Sequence, residues 1–467
     1  MPTTRDFPPQ AWRRIVAIRD RLETFLDRRG YEPVATPTLE QTDLFLRKSG
    51  GELAAKMYSF TDPSGRRVSL RPEFTSSVVR SYVQGNLTGP LPARIQYFGT
   101  VFRYEAHDGG GLEFQQLGAE LIGADGPTAD AEAVALAAQA LAVLGVEGHR
   151  MRLGHVGVLN AMFEALQLSE RARVFIVGSF NDLRDGPAGM VLVRRRAAEL
   201  GLLAPRRSRE LQSLVRRLND QDAREMVQGM LAETATGPTG QRTPEEVFMR
   251  YLKKLRDTED AAVIERALEF ASALAGAAGP VDEAMPKIEA VSAQYGVDAG
   301  VLDPLRKLLK ALALYDLKGV PLILDFTTAR GIAYYTGVVF ELEHPRQRGA
   351  PSLGGGGRYN GLVKALGGEK DVPALGFAYA VDRVSELLPE EFDDTIPAGS
   401  TRVLVVAQET AIEKAVETAE RLRAQGIPAE LDLLGRSDVQ AARYAQQRGI
   451  GTVMRVGRDG VTNEWAP

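Results

Sequence analysis

The sequence predicts an α+β protein: an antiparallel sheet flanked by helices, interrupted by a helical insertion and followed by a small C-terminal α/β domain. Three observations predict it. Strand-like stretches in the first third of the chain come in pairs joined by short turns, which is how antiparallel neighbours connect. Helical periodicity then dominates from about 169 to 312, and strand signals return at Pro321. Beyond a polar linker at 393–401, strands and helices alternate, which favours parallel pairing. The length fits such a division, because 467 residues exceed what one compact core holds. The expected boundaries are 1–168 with 313–392 for the sheet-based core, 169–312 for the insertion and 401–467 for the last domain.

Residues 11–29 read as a helix. Trp12, Ile15, Val16, Arg19, Leu22, Phe25 and Leu26 recur at 3–4 spacing, and Gly30 follows as a stop. Tyr31 to Leu39 is extended. Lys56 to Phe60 and Arg66 to Leu70 flank Thr61-Asp62-Pro63-Ser64-Gly65, a strand, a turn and a strand. A helix follows Pro72, over Glu73 to Gln84. Arg94 to Tyr104 and Leu112 to Ile122 form the next hairpin. Asp130 to Leu144 is an alanine-rich helix and His149 to Gly154 a strand. After the insertion come strands at Pro321 to Phe326, Ile332 to Leu342 and Ala374 to Val381. The glycine run Gly354 to Gly357 reads more readily as a bend or bulge than as a ligand cradle. In the last domain the expected order is a strand from Arg402, a helix from Ala411, a strand from Pro428, a helix from Ser437 and a strand at Thr452 to Val456. The remaining RDGVTNEWAP is too short for a further strand and helix.

Composition narrows the function classes. Hydrophobic residues make up 44% and charged residues 25%, and the net charge of −4 argues against nonspecific coating of nucleic acid. With zero cysteines there can be no disulfide, iron–sulfur or cysteine zinc site, and the four histidines lie far apart. No metal site is expected. MPTTRDFPPQAWRR has no apolar core of a signal peptide, and no apolar run is long enough to span a membrane. The expectation is a cytoplasmic protein.

Three clusters carry the chemistry. The first is Arg71-Pro72-Glu73-Phe74-Thr75 with the hairpin Arg103-Tyr104-Glu105…Gln116…Glu120. The second is Arg330-Gly331-Ile332-Ala333-Tyr334-Tyr335-Thr336-Gly337. The third is GGGGRYNGL (354–362) followed by PALGFAYAVDRV (373–384). Each alone is ordinary; together, in this order, they are specific.

The combination resembles the catalytic core of class II aminoacyl-tRNA synthetases, and within them the histidyl branch. Phe102-Arg103-Tyr104-Glu105 looks like motif 2, GFAYAVDR with Arg383 looks like motif 3, and ARGIAYYTG (329–337) resembles the histidine-specific segment. The resemblance implies a class II synthetase-like sheet with a helical insertion between motifs 2 and 3 and an anticodon-binding-like C-terminal domain. By position it implies that Glu73 and Gln116 hold the ammonium of histidine and Arg330 its carboxylate. Glu120, Tyr334 and Tyr335 lie near the imidazole, and Thr75 forms a small polar wall. Arg103, Glu105 and Arg383 match a residual ATP site.

Two functional classes share this core: the synthetase, and the non-catalytic regulatory subunit of ATP phosphoribosyltransferase, the first enzyme of histidine biosynthesis. Departures from the synthetase pattern favour the regulator, for which no catalytic residue is expected. Forming an adenylate brings two anions together, so the site needs preorganised cations. Arg103 is in place, but the loop that normally carries a second arginine reads Ala106-His107-Asp108-Gly109-Gly110-Gly111-Leu112-Glu113. Opposite unit charges about 4 Å apart interact by roughly 4 kcal/mol at an effective dielectric near 20, about three orders of magnitude in rate. Phe74 replaces a glycine and Ala333 an aspartate. The last domain carries nine Lys/Arg and nine Asp/Glu, 9 − 9 = 0, without the basic footprint of a tRNA reader. This reading expects little histidine-dependent ATP–pyrophosphate exchange. It also expects a short-form ATP phosphoribosyltransferase catalytic subunit as partner, histidine as effector, and a homodimer within a hetero-oligomer. The alternative is a histidine–tRNA ligase, which would use ATP and Mg2+ and bind tRNA.

Overall fold

The computed structural model describes residues 6–47, 51–87, 89–104, 113–203, 261–328, 334–347, 352–389, 392, 402–408 and 411–466. The chain divides into two compact units: Met1–Phe7 with Ile18–Leu388, and Pro8–Ala17 with Pro389–Pro467. Glu105, the loop after it, Arg330, Ala333 and the 233–246 loop of the insertion lie outside the described residues.

Sixteen strands are present among the described residues. In chain order they are β1 (Glu32–Pro33), β2 (Leu39–Gln41), β3 (Ser59–Thr61), β4 (Arg67–Leu70), β5 (Ala93–Phe102), β6 (Glu113–Ile122), β7 (Arg150–His155) and β8 (Gly279–Pro280). Then follow β9 (Leu322–Leu324), β10 (Val338–Glu343), β11 (Gly354–Arg358), β12 (Ala374–Ala380), β13 (Val403–Ala407), β14 (Ala429–Leu431), β15 (Thr452–Gly457) and β16 (Gly460–Trp465). The main sheet of the first unit runs β1-β5-β6-β12-β11-β10-β7-β9-β8. Its centre, β5 through β7, is antiparallel, but β1 pairs with β5 and β9 with β7 in parallel, so the sheet is mixed. The parallel pairs arise where helices, not turns, connect the strands: β9 returns beside β7 only after the helices of 156–312.

The first helix, Pro9–Asp27, buries Ile15, Ile18, Leu22, Phe25 and Leu26, while Trp12 is 42% exposed and falls outside the apolar stripe it was expected to join. The β3–β4 turn is held by Asp62, whose Oδ1 accepts from the Ser64 and Arg66 amides at 2.9 Å each. The alanine-rich helix Pro127–Val143 is buried along most of its length, because alanine lets a helix approach its neighbours closely. The helices of 156–202 and 261–312 share one apolar core, including Phe163, Phe180, Phe270 and Leu305, that also takes in Leu324 and Phe326.

Two expectations change. The strand expected from Ile332 begins only at Val338, and Tyr334 to Gly337 is irregular chain: the Thr336 amide donates to Arg358 O (2.8 Å) and Thr336 Oγ1 accepts from the Asn360 amide (3.0 Å). The glycine run is not a bend. It is β11, paired on both sides, in the middle of the sheet. A Cβ at Gly355 or Gly357 would stand 2.5 Å from Phe340 O or Val338 O of β10, and one at Gly354 or Gly356 would overlap backbone of β12. Neighbouring strands therefore supply the ladder that glycine's weak strand propensity does not, and their closeness excludes any side chain.

Arg358 ends β11 inside the core. Its Nε donates to Asp130 at 2.7 Å and its Nη1 to Ala124 O at 3.1 Å, with the pair nearly buried. Burial raises the Asp130 pKa and Arg358 opposes the rise. Arg358→Met is expected to cost about 3–5 kcal/mol, since it leaves a buried carboxylate unpaired. Protonating that carboxylate relieves the cost, so the loss of thermal stability is expected to be larger at pH 8 than at pH 5. An equal loss at both would mean that the charge of Asp130 is not what Arg358 offsets.

The second unit carries a four-stranded sheet, β14-β13-β15-β16. One face packs Val403 and Val405 against Ala415, Ala419 and Leu422 of the helix Ile412–Ala424. The other packs Leu404, Val406 and Val453 against Ala441 and Ala445 of the helix Asp438–Arg448, started by a Ser437–Gln440 capping box. The chain's last residues, expected to be too few for a further strand and helix, form the strand β16, antiparallel to β15. A two-residue turn at Arg458-Asp459 suffices, where a parallel return would need a crossover.

Candidate active site

Arg71-Pro72-Glu73-Phe74-Thr75 leads from β4 into the helix Thr75–Val83. Arg71 through Phe74 are all buried, which a surface turn would not be. Arg71 is structural: its Nε donates to Thr100 O at 2.8 Å and its Nη1 to Thr36 O at 2.7 Å. Its guanidinium lies over the Phe74 ring, 4.0 Å from the centroid, and Phe74 stacks on Tyr97 at 4.5 Å. Phe74 thus fills core space. Both Glu73 carboxylate oxygens accept from the Ser76 amide, at 3.2 and 3.0 Å, which satisfies a first-turn amide and fixes the acid. Burial raises the Glu73 pKa, against the Ser76 hydrogen bonds and the charge of Arg103.

A cavity of about 170 Å³ opens beside it. It is lined by Glu73, Thr75, Gln116, Tyr334, Tyr335 and Tyr359, by Gly354, Gly355 and Gly356, and by Arg103, Phe114, Glu341 and Arg383. The sheet places these groups: Gln116 of β6 pairs with Ala380, just before the helix Val381–Ser385 that carries Arg383, and the glycines of β11 lie between β10 and β12. The bare glycines let a ligand rest on backbone. Gln116 is 7% exposed and its Oε1 has no hydrogen-bond partner among the described residues. An orphaned buried acceptor beside a buried carboxylate suits a cationic donor such as an ammonium.

The guanidiniums of Arg103 and Arg383 lie 5.3 and 5.8 Å from the Phe114 ring centroid. Arg103 Nε donates to Pro72 O at 2.8 Å and Arg383 Nη1 to Ser352 O at 3.0 Å, so each is anchored by backbone. Asp382 accepts from the Gln115 amide at 2.6 Å, which ties the motif 3-like helix to the start of β6. Two cations about an aromatic face can hold a planar base with its phosphates. Among the described residues no three His, Asp or Glu side chains converge as a metal site. Glu341 also lines the cavity and is a carboxylate that would help hold an Mg2+ accompanying phosphates.

Of the residues singled out in the sequence, Glu73, Thr75, Gln116, Tyr334, Tyr335, Arg103 and Arg383 come together around this cavity. Glu120 stands behind the wall, 1% exposed. Glu105 and Arg330 lie outside the described residues. Sequence reasoning missed Tyr97, Phe114 and Tyr359 as site residues. Tyr359 was visible only as the aromatic after the glycine run, and Tyr97 only as an inward position of β5. Tyr97 and Tyr359 converge on Glu120, which burial pushes up to about 8 against the hydrogen bonds of Tyr359, Thr75 and Tyr97. With its folded pKa raised, Glu120 contributes stability that is full below the ordinary carboxylate range and lost as pH rises through about 8.

Comparison with known proteins bears on what this cavity holds. The family model described as Histidyl-tRNA synthetase matches residues 3–182 and 192–384. The histidine–tRNA ligase of Pyrococcus furiosus is 32% identical over 462 residues, 97% of this chain and 90% of that protein. That of Methanococcus vannielii is 29% identical over 460 residues, 98% of this chain and 92% of that protein. Two solved structures share the fold. One is an ATP phosphoribosyltransferase regulatory subunit/histidyl-tRNA synthetase from Bacillus halodurans C (TM-score 0.64, 23% identity, 97% of each chain). The other is apo S. aureus histidyl-tRNA synthetase (TM-score 0.60, 23% identity, 98% of this chain and 90% of that one).

Proposed function

This chain belongs to the histidyl-tRNA synthetase family, and on that premise we propose that it binds histidine and ATP in the one cavity and works as a histidine–tRNA ligase. The observation that carries the reading is the cavity's mixed lining. Glu73 and the unpartnered Gln116 Oε1 suit an ammonium, and the Arg103–Phe114–Arg383 cluster suits a nucleotide. A protein that only sensed histidine would need the first set and not the second. In the reaction, the histidine carboxylate attacks the α-phosphate of ATP and pyrophosphate leaves; a terminal ribose hydroxyl of the tRNA then attacks the carbonyl of the histidyl adenylate and AMP leaves. Arg103 and Arg383 supply positive charge where the two anions meet, and Mg2+ on the phosphates would neutralise charge beside Glu341. Arg330, outside the described residues, is the candidate for the histidine carboxylate. The relatives' near full-length similarity, which takes in the C-terminal α/β unit, also supports this reading.

A second reading rests on a specific observation: residues 106–113 hold no lysine or arginine where synthetases place a second motif 2 cation. Under it the chain is the regulatory subunit of ATP phosphoribosyltransferase, a homodimer within a hetero-oligomer with a short-form catalytic subunit, and makes that enzyme active and histidine-sensitive. One assay separates the two. The ligase reading expects histidine-dependent ATP–pyrophosphate exchange and charging of histidine tRNA by the purified chain. No exchange, together with co-purification of the catalytic subunit and histidine-sensitive phosphoribosyl-ATP formation, would hand the function to the second.

A further inference from the structure

The connection that carries Tyr334 and Tyr335 leaves β9 and returns as β10, two strands that are not neighbours, because β7 lies between them. One residue of β7 reaches acids on both sides. Arg152 Nη1 donates to Asp325 Oδ2, just past β9, at 2.8 Å, and its Nε lies 2.9 Å from Glu343 Oε1 at the end of β10. Asp325 is 1% exposed and fixes the start of the connection. Its amide donates to Leu153 O of β7 at 2.8 Å, and its Oδ1 accepts from the Thr327 amide at 2.8 Å within the turn Phe326–Thr328. Arg184 of the insertion stands 3.9 Å from Asp325 Oδ2, beyond hydrogen-bond distance, so Arg152 is the donor to that oxygen among the described residues. On β10 the residue directly opposite Arg152 is Glu341, which lines the cavity, so the two project from one face of the sheet. Arg152 stands one strand away and is not among the lining residues.

We propose that Arg152 is a positioning residue: by clasping Asp325 and Glu343 it sets the span between β9 and β10, and with it the seat of Tyr334 and Tyr335 beside the ligand. The proposal deepens the histidine reading and rests on it. The β9 side is where a clasp is needed. β10 is registered to β7 over six residue pairs, Val338 to Glu343, whereas β9 is registered over three and its ladder ends at Leu324, one residue before Asp325. The other end of the connection is held separately, by the Thr336 amide donating to Arg358 O at 2.8 Å. A planar guanidinium directs its donors along fixed axes and can address two carboxylates at once, which a lysine ammonium on its flexible stem does less well. Without Arg152 the buried carboxylate of Asp325 has lost its donor. It moves toward water or toward Arg184, and the Phe326–Thr328 turn that it holds moves with it.

The test sets histidine affinity, by calorimetry, against melting temperature in wild type, Arg152→Met, Arg152→Lys and Leu308→Ala. Leu308 is a buried residue of the helix Asp303–Leu312, outside both the clasp and the cavity lining. Its truncation lowers the melting temperature and is expected to leave affinity within about twofold of wild type. Arg152→Met is expected to weaken histidine binding by about tenfold or more, the scale on which a small misplacement of binding groups tells. Arg152→Lys returns a charge to Asp325 without bridging to Glu343, and is expected to recover most of the melting temperature and little of the affinity. Should Arg152→Met fail to fold, Glu343→Ala decides: it opens the clasp on its more exposed side, and is expected to weaken histidine to the same extent at small cost in melting temperature. Affinity that follows melting temperature across the series, or that stays within about twofold of wild type throughout, would overturn the proposal and leave the histidine reading standing. Absence of histidine binding to the wild type would sink both.

Discussion

Glu73→Gln is expected to weaken histidine binding by about 2–5 kcal/mol, thirtyfold or more, while leaving the fold intact. The two halves of this expectation come from different atoms. Gln Oε1 can still accept from the Ser76 amide, so that first-turn amide of the helix Thr75–Val83 keeps its partner. The charge is what goes. In the empty site that charge is a burden, because burial disfavours the ionised form of Glu73. With an ammonium bound it becomes half of an enclosed ion pair, whose other half the variant leaves facing a neutral amide. Thermal stability of the ligand-free variant is therefore expected to equal or exceed that of the wild type at pH 8, while isothermal calorimetry registers little histidine. Affinity within threefold of the wild type would mean that the ammonium is not seated beside Glu73.

Much of this site could be read from the chain because its chemistry sits in short, ordered segments. Glu73 and Thr75 come from one turn, Gln116 from one strand, and Arg383 from one helix end, and the antiparallel centre of the sheet brings them together. What sequence reading misplaced has a common physical cause: contacts made across strands, which no local pattern reports. The glycine run resembles a bend in one dimension and is a strand only because β10 and β12 crowd it from both sides. Glu120 was read as lying near an imidazole, and its carboxylate is buried among Thr75, Tyr97 and Tyr359, with Oε2 where a Cβ at residue 376 would stand. Phe74 looked like a lost glycine and proves to be a stacking partner for Tyr97. The last ten residues were read as too short for a further strand and helix together; they hold the strand alone, because an antiparallel return needs only a short turn.

Arg383→Ala is expected to lower histidine-dependent ATP–pyrophosphate exchange by about two to three orders of magnitude, the usual cost of removing one preorganised group that stabilises developing charge. Histidine affinity without ATP is expected to stay within about threefold, since the proposed function gives Arg383 to the nucleotide and Glu73 and Gln116 to the ammonium. The geometry also predicts an order among substitutions. Arg383 is held by Ser352 O and lies against Phe114, so its planar guanidinium serves as a face as well as a charge. Arg383→Lys keeps the charge and loses the face, and is expected to recover only part of the rate. Phe114→Leu keeps both arginines and loses the ring they share, and is expected to raise the KM for ATP more than it lowers kcat. This split follows from a loss of ground-state nucleotide binding. If Arg383→Lys restored full exchange, the guanidinium plane would have no part in nucleotide binding. If wild type and Arg383→Ala were equally inert in exchange while both still bound histidine, the nucleotide cluster would be a relic, and the missing cation of residues 106–113 would decide for the regulatory reading.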